Sequence, residues 1–156
     1  MSKIINDSLL QFTANLPCRQ IVLEGELYLR RYFVNIDSAG RQTWLHEILK
    51  PDTGRALHTH PWYAQSRVIS GGYTEEILMP ESKRDFKYYR VGDFNIIEPT
   101  TIHRIVEVKE FTWTELSVAP CRDDFWHFLN DDGSLEPVAT NDEHWYKTAP
   151  HRIDIY

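Results

Sequence analysis

Two histidines stand two residues apart in Leu57-His58-Thr59-His60-Pro61-Trp62-Tyr63, and a third, His103, follows the bend Pro99-Thr100-Thr101. On an extended segment side chains alternate between faces with period 2, so His58 and His60 point to the same side. Two imidazoles side by side can hold one divalent cation, and His103 is the candidate third ligand. Imidazole nitrogen suits Fe, Zn, Ni, Cu and Mn, and an open coordination face is what oxygen chemistry or substrate chelation needs.

Other residue types near these histidines carry secondary roles. Arg67 and Arg104 can anchor a substrate carboxylate or phosphate, because a guanidinium grips such groups in a bidentate way. The duller reading places both on the rim or surface. Trp62, Tyr63 and Tyr73, with Tyr28 and His46, can line a cavity, although rings of this kind more often form plain core. Tyr73 or a histidine can also serve as general acid or base with no metal at all. Alternation turns one of Glu75 and Glu76 outward, and the other is then buried and in need of a cation. Pairing with Arg67, Arg30 or Arg104 is the more economical solution, ahead of metal ligation. Glu115, on an otherwise apolar strand, is a further carboxylate of the same kind.

Bringing these side chains together calls for many short strands. Asn6 to Asn15 reads as a short helix capped by Asn6 or Asp7, with Leu9, Leu10 and Phe12 as its apolar face and Pro17 as its stop. Glu26 to Asn35 and Arg41 to Lys50 read as a hairpin about the Asp37–Gly40 turn. The second strand sets Trp44, His46 and Ile48 on one face and Leu45, Glu47 and Leu49 on the other. After Gly71-Gly72, strands are expected over 73–79, 86–90 and 94–97. Next come 103–108 and 111–118, expected to pair with each other across Lys109-Glu110. Beyond Pro120 a short helix is expected over 123–129, a turn at Asn130–Gly133, and an aromatic tail over 141–156 that packs on the barrel or serves association. Short strands punctuated by turn residues are the pattern of an all-β barrel or sandwich. The expected organisation is one domain over 1–156: a lead-in over 1–25, the barrel over 26–118 and an extension over 119–156.

Composition narrows the classes. The 156 residues suffice for one core without staples. Aromatics make up 13% of the chain, which favours strands and an aromatic-lined cavity. The net charge of −6, with no basic block, argues against nucleic acid as a partner. Cys18 and Cys121 are too far apart for a metal motif and read as two reduced thiols. No apolar signal core opens the chain, and no apolar run approaches the ~18 residues of a membrane helix, so a soluble cytoplasmic protein without membrane contact is expected.

These motifs resemble the cupins, small double-stranded β-helix barrels of the jelly-roll kind. The family's first motif is a Gly, His-x-His, a Glu shortly after, and a Gly; here Gly54, His58-Thr-His60, Gln65 and Gly72 stand in that order. The second is a Gly, a strand, a Pro-containing bend and a His; here Gly92, Phe94 to Ile97, Pro99 and His103. Gly54 lies closer to His58 than the pattern has it, Gln65 takes the place of the metal-binding Glu, and Glu107 stands where Asn is common. The resemblance implies an all-β cupin barrel with a short N-terminal helix and an aromatic C-terminal tail. It also implies a metal site of His58, His60 and His103, with Gln65 as the fourth candidate. A neutral Gln leaves such a site at +2, like the three-His cupin dioxygenases that act on thiols or diketones. The implied function is a mononuclear-metal, dioxygenase-type enzyme. Its metal would be iron first, with zinc, nickel and manganese as alternatives. It would act with O2 on a small anionic chelating substrate held by Arg67, Arg104, Trp62 and Tyr63, with Tyr73 among the catalytic residues. Cupins commonly pair through sheet faces, so a homodimer is the implied association. A metal-independent isomerase or epimerase and a non-catalytic ligand-binding cupin are the rival readings.

Overall fold

The computed structural model describes residues 1–52, 56–121, 125–139 and 143–154. A helix, α1 (Ser2–Thr13), precedes β1 (Cys18–Leu23), β2 (Glu26–Ile36), β3 (Gln42–Ile48) and β4 (Ala64–Ser70). Then follow β5 (Gly72–Leu78), β6 (Arg84–Arg90), β7 (Phe94–Ile97), β8 (His103–Val108), β9 (Thr112–Val118), β10 (Phe125–Leu129) and β11 (Leu135–Ala139). One sheet runs β1-β2-β3-β9-β4-β7, all pairs antiparallel. The other runs β6-β5-β8 and continues through the backbone of His58, which bridges His103 on β8 to Phe128 on β10, and so to β11. The inner faces of the two sheets enclose one cavity.

Alternation decides what each face of the first sheet meets. On β3, Trp44, His46 and Ile48 point into the cavity, as expected for that strand, while Leu45 joins a cluster with Cys18, Tyr32 and Trp113 on the outer face. Leu9 and Leu10 of α1 cover that cluster. Tyr32 and Trp113 stack there with ring centroids 5.6 Å apart. Glu47 is buried on the same face, where Arg30 lies at 2.8 Å and the Tyr32 hydroxyl at 3.0 Å. The turn from β4 into β5 requires both glycines. Gly71 has φ +70, and a Cβ on it would lie 2.3 Å from Thr112 Oγ1, while one on Gly72 would lie 2.5 Å from the Tyr88 hydroxyl.

Several sequence expectations are corrected. The helix begins at Ser2, so Asn6 and Asp7 sit inside it and cap nothing. Asn6 is buried and accepts a 2.9 Å hydrogen bond from the Trp113 indole; Asp7 pairs with Lys3 at 3.0 Å. Phe12 is exposed rather than packed. β8 and β9 do not pair with each other: β8 adds to β5, and β9 inserts between β3 and β4. The chain changes sheets at their junction, where Phe111 adopts φ 60 and Lys109 N–H bonds the Gly72 carbonyl. Phe125–Leu129 is a strand, not a helix, because the extended His58 segment offers backbone groups to pair with; residues 123 and 124 lie outside the described set. β1 falls within the stretch read as a lead-in, and β10 and β11 fall within the stretch read as an extension, so the sheets draw on both.

Of the tail, the described segment around Trp145 packs on the barrel: Trp145 is buried with Trp44 and Trp62. Cys18 and Cys121 are free thiols, and burial pushes Cys18 up to about 11. No helix among the described residues is long and apolar enough to cross a membrane.

Candidate metal centre

Backbone pairing brings the histidines together. His58 N–H bonds His103 O at 3.0 Å, and His103 N–H bonds His58 O at 2.9 Å. On the other side Thr59 N–H bonds His127 O and Leu129 N–H bonds Leu57 O, which holds residues 57–59 extended between two strands. His60 then falls on the same side as His58. The three ring centroids lie 5.1–5.4 Å apart, and the three ligating nitrogens lie within 4.8 Å of one another.

Hydrogen bonds choose which nitrogen each ring presents. His58 Nδ1 lies 3.2 Å from Ala56 O, and a carbonyl only accepts, so Nδ1 is the donor of this ring. His103 Nδ1 donates to the Glu75 carboxylate, a buried residue on β5. His103 Nε2 is buried and has no hydrogen-bond partner among the described residues. A buried ring nitrogen without a partner is costly unless something fills the position in front of it. His60 is fixed differently: the Trp62 indole stacks on it at 4.4 Å, nearly parallel. The donor set therefore fits a divalent metal. A common ion would lie about 2.0–2.2 Å from each ligating nitrogen.

Around this triad the polar groups form a chain. Asn95 Nδ2 donates to Glu75 Oε2 and to the Tyr73 hydroxyl, both at 3.1 Å, and the Tyr89 hydroxyl donates to Asn95 Oδ1. Glu75 is thus held from two sides while it orients His103, the arrangement that fixes a metal-binding imidazole. Burial pushes the Tyr73 phenol far above its ordinary value, so it stays protonated. On the opposite flank Asp52 Oδ2 lies 3.9 Å from His58 Nε2 and 3.4 Å from the Tyr28 hydroxyl. The cavity holding these groups has a volume of about 240 Å³ and aromatic walls that include Trp44, Trp62 and Trp126.

The remaining site candidates separate by strand parity. Trp62 and Tyr73 line the cavity, but Tyr63 does not. On β4 the buried positions are Ala64, Ser66, Val68 and Ser70, so Gln65 and Arg67 point outward and are exposed. Gln65 is therefore not a ligand here; the inward position belongs to Ser66. Arg67 lies 3.7 Å from Glu115 on that outer face and does not line the cavity. Arg104 touches the cavity, yet its Nε is bound to Glu76 at 2.7 Å, the structural pairing expected for one of the two adjacent glutamates. Sequence reading missed Asp52 and Arg31, both of which line the cavity; the inward face of Arg31 follows from sharing parity with Leu29 on β2.

With this geometry in hand, solved structures can be compared. A cupin-2 domain from Rhodospirillum rubrum matches with a TM-score of 0.56 at 10% identity, covering 76% of this chain and 78% of its own. Fe(II)-HppE with the alternative substrate (S)-1-HPP matches with a TM-score of 0.53 at 14% identity, covering 67% of this chain and 56% of its own. Oxalate decarboxylase of Bacillus subtilis, described by its Mn(II) centers, matches with a TM-score of 0.51 at 12% identity, covering 78% of this chain and 30% of its own. The chain thus spans little more than half the length of the HppE chain. No protein-family model and no curated protein matches the sequence. At such identities the likeness establishes the fold: the chain is a cupin-type jelly-roll barrel, with three histidines at its cavity that can bind a metal.

Proposed function

We propose that the protein is a mononuclear-metal enzyme in which His58, His60 and His103 hold the ion, iron first among the candidates. Its reaction would be of the dioxygenase type on a small anionic chelating substrate. The observation that carries this reading is the buried His103 Nε2, without a hydrogen-bond partner among the described residues, whose ring joins His58 and His60 with ligating nitrogens within 4.8 Å of one another at an aromatic-walled cavity. A metal held there supplies Lewis acidity and, as iron, a site for O2 beside a chelated substrate. The protein's own part is positional. Glu75 holds the His103 tautomer, the Trp62 ring fixes His60, and Trp44 and Trp126 exclude water. Tyr73, kept protonated by burial, offers a neutral hydroxyl at the cavity wall. A cytoplasmic setting and a homodimer joined through sheet faces belong to the same proposal.

The test uses Fe(II)-loaded protein exposed anaerobically to nitric oxide, a stand-in for O2. The expected result is a high-spin iron–nitrosyl EPR signal at about one spin per chain, absent in His103→Ala. Iron binding with no nitrosyl signal would rule out an open position for O2, and failure of iron to bind would remove the metal reading altogether.

A further inference from the structure

Two arginines line the cavity without an ion pair to a carboxylate among the described residues. Arg19 on β1 and Arg31 on β2 are direct cross-strand partners, and both line the cavity. Arg31 Nε donates to His46 Nε2 at 3.0 Å, and its guanidinium carbon lies 4.1 Å from the centroid of the Trp44 ring. Its two Nη groups have no hydrogen-bond partner among the described residues, and Arg19 has no hydrogen bond or ion pair among them. Arg30, Arg67, Arg84 and Arg104, by contrast, all meet glutamates. Like charges directly opposite on neighbouring strands are destabilising, and a part-buried guanidinium wants an anion.

Among the described residues, the cavity's own carboxylates do not supply that anion. Glu75 is engaged by His103 and Asn95, and Asp52 lies beside His58 and Tyr28. Glu143 lines the cavity but forms no ion pair with either arginine. His46 fixes one side of Arg31 in a defined way. Because Arg31 can only donate, His46 Nε2 is the acceptor. Burial and Arg31 hold the ring neutral, so its proton sits on Nδ1. Between this corner and the metal centre lie Trp44 and Trp62, edge to face at 5.6 Å, with Trp62 stacked on His60.

We propose that Arg19 and Arg31 form an anion subsite for the carboxylate, phosphate or phosphonate end of a small substrate whose other end reaches the three histidines. The middle of that substrate lies against the two indole rings and is therefore short and apolar or unsaturated. The second half of the statement rests on the metal reading above; the anion subsite itself does not.

The test is calorimetric titration of malonate, inorganic phosphate and methylphosphonate, with malonamide as the uncharged control. The proteins are the full-length wild type, Arg31→Met, Arg31→Lys, Arg19→Met and His103→Ala, each metal-free and after loading with Zn(II). The expected result is that at least one anion binds the metal-free wild type and malonamide does not. Arg31→Met and Arg19→Met should each weaken that binding by about tenfold or more. Arg31→Lys, which keeps the charge and loses the fork, should fall between. Preference for malonate or for the phosphorus oxyanions then names the group. Binding equal to wild type in both Arg19→Met and Arg31→Lys would overturn the subsite, even where Arg31→Met fails to fold, as would failure of every anion to bind the wild type. Arginine-dependent binding in a protein that takes up no Zn(II) would keep the subsite and discard the metal reading. Zn(II) uptake with arginine-independent anion binding would do the reverse.

Discussion

Replacing Glu75 with Gln keeps the side chain's shape and removes its charge, which isolates what the carboxylate does for His103. Glu75 is 2% exposed, accepts from His103 Nδ1 and is held by Asn95 Nδ2 at 3.1 Å, so no solvent takes over its role. A hydrogen bond to a charged partner contributes about 1.5–3 kcal/mol, which corresponds to roughly 10- to 150-fold in an equilibrium constant. Residues that support metal-ligating histidines elsewhere are worth about 10–100-fold in metal affinity. Two independent routes thus give the same range. Glu75→Gln should raise the dissociation constant for Co(II) or Zn(II) by about 10–100-fold, measured by competition with a chromophoric chelator. Far-UV circular dichroism of the metal-free variant should match wild type. A change below about twofold would refute the positioning role. A loss beyond about a thousandfold would refute it in the other direction, by making Glu75 itself a ligand.

Three further outcomes follow from the same geometry. Gln65→Glu should leave metal affinity within about twofold of wild type, since residue 65 is exposed and its charge is screened by water; tighter metal retention after dialysis would contradict the outward assignment. Asn6→Ala leaves the fully buried Trp113 indole N–H without its acceptor and should cost about 1–3 kcal/mol in urea unfolding, with an unchanged midpoint as the contrary result. His46 is held well below its ordinary value by burial and by Arg31, so the unfolded chain takes up its proton first as pH falls. Stability from that neutral ring is present above pH ~6.5 and is lost on acidification, by up to about 1.4 kcal/mol per pH unit. His46→Asn should show a shallower acid slope in urea midpoints between pH 7 and 5 than wild type, and identical slopes would contradict it.

Much of this was legible in the sequence, for identifiable reasons. Period-2 spacing put His58 and His60 on one face, and the Pro99 bend placed His103 where a strand begins; only the likeness to the cupin motifs joined His103 to the pair, because the backbone pairing that brings them together is tertiary. The hairpin of β2 and β3 followed from its turn residues. What failed was whatever depended on partners distant in sequence. β8 and β9 look like a hairpin locally, but each finds a better edge in a different sheet. Phe125–Leu129 became a strand because residues 57–59 offer it backbone groups. Gln65 was placed by motif alignment, and a motif does not state parity: the strand places Ser66 inward instead. Arg31 was passed over because a charged residue amid Leu29, Tyr32 and Phe33 reads as a solvated position, and only the sheet shows it facing the cavity.

The central claim is a single metal ion on three imidazoles. Elemental analysis of the protein purified without added metal, followed by X-ray absorption at the edge of whatever metal is found, tests it directly. The account predicts about one transition-metal ion per chain with imidazole scattering from three rings, and loss of that ion in His58→Ala, His60→Ala and His103→Ala alike. Metal content that survives all three substitutions, or a wild type that takes up no divalent metal even when it is supplied, would contradict it.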